Sequence, residues 1–180
     1  MRALPLFAAL ILSACSSPEV LIPAPQVSVV ERIPTRFASV EVLEESLPAY
    51  AASAEIALAD GLSLTPSGTL WADDPTRAVT LALARNLKEA TGARVTPEPW
   101  PFDEFPAAQV DVRVEDLRVV EGALKLSGQY FVADLEGRGR DHAHLFSLET
   151  PLLEESPAAA AAGRAVLFAE LARLIAQDGL

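Results

Sequence analysis

Between Gln109 and Glu149 the chain alternates, and this alternation limits the fold more than any other feature. Val110, Val112 and Val114 fall on one side of an extended strand, with Asp111, Arg113 and Glu115 on the other. Glu121-Gly122 supplies a turn, and Leu124–Leu135 a partner strand. Gly137 and Gly139 mark the next turn, ahead of a third strand over Asp141–Glu149. The pattern predicts a three-stranded meander. One polar and one apolar face means an antiparallel sheet covered on a single side.

Two helices are expected to provide the cover. Asp74 is a good N-cap, Pro75 suits the first helical position, and Gly92 suits the end. Between them Ala78, Val79, Ala82, Leu83, Leu87 and Ala90 recur at spacings of three and four, opposite Arg77, Arg85, Lys88 and Glu89. Ser156-Pro157 repeats the start signal for a helix over Ala158–Gln177, whose apolar side holds Val166, Leu167, Leu171, Leu174 and Ile175. Its Ala158–Ala162 run favours helix and permits close approach. Further strands are expected at Val27–Val30, Ala38–Glu44, Ser53–Ala59 and Ala93–Pro97. Leu62–Leu64 and Thr69–Trp71 flank a turn signal at Pro66-Ser67-Gly68. The fold class is α+β: a single, mainly antiparallel sheet with two amphipathic helices packed on one face.

The N-terminus sets the compartment. Met1-Arg2 is a short basic start, Ala3–Leu12 is apolar, and Leu12-Ser13-Ala14 brings small residues up to Cys15. This has the form of a secretory signal over residues 1–14, and about half the roughly 20 apolar residues a spanning helix needs. Leu-Ser-Ala-Cys resembles a lipobox, which makes Cys15 a site of lipidation. The alternative is an ordinary signal peptide in which Cys15 is incidental. Cys15 is the chain's only cysteine, so it pairs with nothing in its own chain, and lipid attachment accounts for it. Each buried CH2 contributes about 0.8 kcal/mol, and a multiply acylated cysteine gives lasting attachment. The absence of Asp at position 16, where Ser16 stands, leans toward the outer membrane, facing the periplasm. Residues 15–26 hold Pro18, Pro23 and Pro25 and read as a lipidated, extended stalk reaching ~30 Å at ~3.1 Å per residue. Residues 27–180 then form one domain.

Composition excludes several functions. The formal charge is −11, and −12 once Arg2 is gone, which opposes nucleic-acid binding. Without cysteine pairs the exported body relies on its apolar core. Catalytic arrangements are missing. His142 and His144 share a strand face, a pairing that suits zinc but lacks a cysteine and reads more simply as solvated edge histidines. There is no G-x-S-x-G elbow or S-x-x-K motif. Asp73-Asp74 is explained by helix capping, while Glu44-Glu45 and Glu154-Glu155 read as solvated loop charges. No enzyme, cofactor or metal site is expected. The best candidate for partner binding is Trp100, Phe102 and Phe105, in a loop that prolines 97, 99, 101 and 106 exclude from helix and ladder. The alternative is that this loop folds down and caps the core. Tyr50 and Trp71 read as packing residues.

The order of elements resembles the ABC-type transport auxiliary lipoproteins, the group that includes paraquat-inducible lipoprotein C. A strand leads into Leu47-Pro48-Ala49-Tyr50, and Glu55-Ile56 follows. Trp71-Ala72 stands ahead of the long helix, which contains Leu83-Ala84-Arg85-Asn86-Leu87; the meander and an Ala-rich helix close the domain. The similarity spans about Val27 to Ala176 and rests on order and spacing. The tyrosine-containing start that many members carry after the lipobox is absent. The resemblance implies a non-catalytic docking or scaffold subunit of an MCE-type system for intermembrane lipid transport or membrane integrity. Its implied partners are a periplasmic MCE-domain protein and an integral membrane permease. The lipoprotein in such systems is not the ATPase, and this chain has no G-x-x-x-x-G-K-[ST] loop. A homo-oligomeric ring is compatible with the sequence, and no residue specifies it. Two further readings stay open: a lipid carrier with its own cavity, and an outer-membrane assembly or efflux scaffold.

Overall fold

A computed structural model describes residues 19–29, 31–60, 63–137 and 139–180. The expected meander is present. Strands β6 (Ala108–Val120), β7 (Ala123–Asp134) and β8 (His142–Pro151) pair antiparallel in that order. Along β6, Val110, Val112 and Val114 are buried and Arg113 and Glu115 exposed. A bulge between Val114 and Asp116 shifts the phase, so Leu117 and Val119 return to the buried side.

The single antiparallel sheet is not what forms. The described residues form two sheets, and both contain parallel pairs. In the larger, β2 (Ser39–Val42) lies parallel to β6 on one side and to β5 (Arg94–Pro97) on the other, giving the order β5-β2-β6-β7-β8. Parallel neighbours need long crossovers, so no local turn announces the pairing. In the smaller, β4 (Ser63–Trp71) sits between β3 (Glu55–Asp60) and β1 (Val20–Ile22). The turn expected at Pro66-Ser67-Gly68 is also absent, because those residues lie within β4. β1 pairs only with Thr69–Trp71, which leaves Pro66 without a β1 partner, and the β3 register shifts nearby. Gly68 adopts φ 74° and its N–H donates to the Glu55 carboxylate at 2.7 Å. Proline and glycine here build a bulge instead of a turn. Leu62 and Val30 lie outside the described residues, and residues 27–29 form no strand.

Helices α1 (Pro75–Thr91) and α2 (Pro157–Asp178) start as their caps dictate: the Asp74 carboxylate accepts from Arg77 N–H at 2.8 Å, and the Ser156 hydroxyl from Ala159 N–H at 3.2 Å. Gly92 ends α1 at φ 74°. Val79, Leu83 and Leu87 of α1 and Leu167, Phe168, Leu171 and Ile175 of α2 share one core with Val40, Val42, Val110, Leu126 and Tyr130 of the larger sheet. Val166, expected on that side, is 40% exposed. Helix cover on one face is therefore correct.

The proline segment behaves differently from a stalk. Ala72 N–H donates to Ile22 carbonyl at 2.9 Å, fixing β1 beside the start of α1. Pro23, Ala24, Pro25 and Gln26 then border a crevice with Ala78, Ala82 and Arg85 of α1. Ala24 and Pro25 also border Ala161, Ala165 and Phe168 of α2. Ile33 N–H donates to Ala90 carbonyl at 2.9 Å, near the far end of α1. The described residues 23–29 and 31–33 thus run as a strap beside the helix layer. Prolines 23 and 25 keep it extended, as expected, but against the body.

Candidate functional site

The aromatic loop is a crossover. β5 and β6 both run parallel to β2 and flank it, so residues 98–107 must travel back along β2 to reach the start of β6. Glu98 N–H donates to Val42 carbonyl at 2.8 Å, and Ala107 N–H to the Ser39 hydroxyl at 3.0 Å. Ser39 and Arg94 are register partners one residue away from buried Val40 and Val95, so the loop crosses the sheet face remote from the helices. Beneath it Glu41 is buried and accepts from the Gln109 amide at 2.6 Å.

Within the loop Trp100 and Phe102 meet edge to face at 5.1 Å, and the Arg94 guanidinium lies 5.0 Å from the Phe102 ring. The Trp100 indole N–H donates to the Glu104 carbonyl, which ties the loop's two arms together. Trp100 is half-buried. Phe102 is 44% and Phe105 92% exposed, whereas Pro106, Ala107 and Ala108 are buried. The short residues at the loop's end close the core, and the two phenylalanines do not. Leu135, 46% exposed, is brought alongside by its N–H bond to Ala107 carbonyl at 2.9 Å. Phe102, Phe105 and Leu135 are thus three exposed apolar side chains towards the end of the sheet where β6 begins and β7 ends. Leu135 had no sequence signal as part of this surface, because the strand boundary gave it no neighbours.

A groove of about 430 Å³ lies beside the loop's first residues, lined by Glu44, Arg77, Thr80, Leu81, Pro97, Glu98 and Pro99. Sequence reasoning missed it, since its walls come from three separated segments.

A buried charged cluster was also missed. Glu45, expected to be a solvated loop charge, is 2% exposed, while Glu44 is exposed as expected. Its N–H is held by the Thr80 hydroxyl at 3.1 Å, and among the described residues neither carboxylate oxygen has a hydrogen-bond partner. Burial pushes its carboxyl up to about 8, against the opposing pull of Arg164. Arg164 is itself buried, its guanidinium 4.0 Å from the Trp71 ring centroid and 3.3 Å from the Pro75 carbonyl. Burial draws it down to about 10, opposed by Glu45 and then Asp74. The available signal was Arg164 itself, a lone cation in an alanine run. The cluster joins the loop after β2, both helices and the smaller sheet.

Tyr50 anchors the loop after β2. Its hydroxyl donates to Asp116 at 2.7 Å and accepts from Leu117 N–H at 3.0 Å, at the β6 bulge. His142 and His144 stack at 5.9 Å on the outermost strand β8, and His144 stacks on Tyr130 at 5.2 Å. Cys15 and the signal segment lie outside the described residues.

Known proteins place this architecture. A crystal structure of an uncharacterized protein superposes with a TM-score of 0.70 at 16% identity, covering 89% of this chain and 97% of that one. A Xanthomonas campestris protein of the DUF330 family also superposes at 0.70, with 14% identity, 87% of this chain and 92% of that one. Both share the fold. No curated protein matches. The family model for the ABC-type transport auxiliary lipoprotein component matches residues 20–176. That span runs from β1 nearly to the end of α2, so the strap and both sheets fall within it, and the chain belongs to the ABC-type transport auxiliary lipoprotein component family.

Proposed function

We propose that this protein is the lipid-anchored, non-catalytic subunit of an MCE-type, ABC-associated system for intermembrane lipid transport, and that Phe102, Phe105 and Leu135 dock its protein partner. Cys15 carries the lipid and holds the body in the envelope, at the outer membrane and facing the periplasm. The partners are an MCE-domain protein and, through it, an integral membrane permease. The observation that carries the docking role is Phe105. A phenylalanine 92% exposed, in a loop held by prolines and the Trp100–Glu104 bond, presents apolar area with little ordering left to lose on binding. The interior between helices and sheet supports a scaffold more than a carrier, being filled by Leu83, Leu87, Tyr130, Phe168 and Leu171.

Full-length lipoprotein extracted from native membranes in mild detergent should bring an MCE-domain protein with it. Phe102→Ala/Phe105→Ala should lose that protein while remaining in the membrane fraction. Repeated recovery of unrelated proteins alone would overturn the proposal.

A further inference from the structure

The strap changes how the body sits on its membrane. We infer that the end carrying the smaller sheet lies against the bilayer that holds the protein's own lipid, and that the aromatic end points away from it. The inference rests on Cys15 as the lipidated residue. A free stalk through Pro25 would let the body stand off and turn. The structure instead docks Val20–Ile22 into the smaller sheet. Five residue steps then separate Cys15 from Val20, and at ~3.3–3.6 Å each they reach at most about 18 Å.

The two ends of the molecule are well separated. The smaller sheet meets the β6–β7 hairpin end, where Tyr50, Ile56 and Trp71 share a crevice with Leu117, Leu124 and Ala160. Leu152 N–H donates to Gly122 carbonyl at 2.8 Å, which brings the loop before α2 to the same end. Phe105 and Leu135 lie where β6 starts, and the 13 residues of β6 span ~40 Å at ~3.3 Å each. The tether is therefore shorter than half the molecule.

The surface at the tethered end suits a lipid headgroup layer. Val20 and Leu21 are each 54% exposed, and Leu153 is fully exposed. Glu121, Glu154 and Glu155 are exposed around that end and oppose anionic lipid, so the matching surface is zwitterionic.

Energy transfer to the membrane tests this. Because Cys15 is the only cysteine and would be blocked by lipid, Leu21→Cys, Leu153→Cys or Phe105→Cys provides a unique donor site on the lipidated full chain. Each is bound to phosphatidylethanolamine–phosphatidylcholine vesicles carrying acceptor-labelled lipid. Transfer from positions 21 and 153 should exceed that from position 105 severalfold. A long Gly/Ser insert after Ser17 should lower transfer from 21 and 153 and narrow the difference. Equal or greater transfer from position 105, or no response to the insert, overturns the orientation. Flotation of the same samples separates the two readings: protein that fails to float overturns lipidation and the orientation with it, whereas protein that floats with the wrong ranking overturns the orientation alone.

Discussion

Glu45 and Arg164 show what a lone charge in an apolar run can mean. Neither charge is well placed for stability, since both are desolvated and the carboxylate oxygens have no hydrogen-bond donor among the described residues. The folded carboxyl titrates near 8 against an ordinary 4.5, so the folded protein binds the extra proton more tightly than the unfolded chain. Stability from this group should fall as pH rises from about 4.5 through about 8. Thermal unfolding of the wild type should decline across that window, and Glu45→Gln should decline less; parallel pH profiles would refute it. Gly128 is a second constrained residue. A Cβ there would stand 2.1 Å from the Arg113 carbonyl oxygen and 3.0 Å from the Val114 Cα, at the β6 bulge. Backbone cannot swing aside as a side chain can, so Gly128→Ala should cost about 1–3 kcal/mol in denaturant unfolding.

At the scale of elements, β1 and the strap separate this protein from a domain on a stalk. Three ladder positions and the Ile22–Ala72 bond hold residues 20–22, and the exposed residues 23–26 border crevices with the helices. A soluble body beginning at Glu19 should melt at a higher temperature than one beginning at Val27, whereas a free stalk would leave the two alike. The elements legible in the sequence were those with local signals: β6 by alternation, α1 by Asp74, Pro75 and Gly92, and α2 by Ser156-Pro157. The pairings that were not legible all depend on distant segments. β2 reaches its place between β5 and β6 through crossovers that leave no turn residue. Val20–Ile22 is too short to show a period, and prolines 18 and 23 on either side disguise it as spacer. Pro66 and Gly68 misled for the opposite reason: their local chemistry is that of a turn, and their surroundings make it a bulge. For the candidate site, the prolines and aromatics identified the loop, but exposure decided that Phe102 and Phe105 face solvent while Trp100 braces the loop.

At the scale of the whole molecule, the core and the proposed docking residues are physically separated. The core lies between the helices and one sheet face, whereas the aromatic loop crosses the other face and ends beside Leu135. Phe105 is almost fully exposed, so truncating it removes little buried area. Phe102 loses only its contacts with Trp100 and Arg94, which are partly open to solvent. The double substitution Phe102→Ala/Phe105→Ala should therefore leave thermal unfolding within about 1 kcal/mol of wild type and vesicle flotation unchanged. If the proposed docking role holds, its effect should appear in binding to a purified MCE-domain protein, where each 1.4 kcal/mol lost weakens affinity about tenfold. Trp100→Ala should differ, because it cuts the bond to Glu104 and loosens the loop. It should weaken binding through slower association as well as faster dissociation, since a loop that must first be ordered samples the docking conformation less often. Stopped-flow kinetics of the three proteins would separate the contributions. Equal binding by the double variant and wild type would remove the docking role from this end of the molecule.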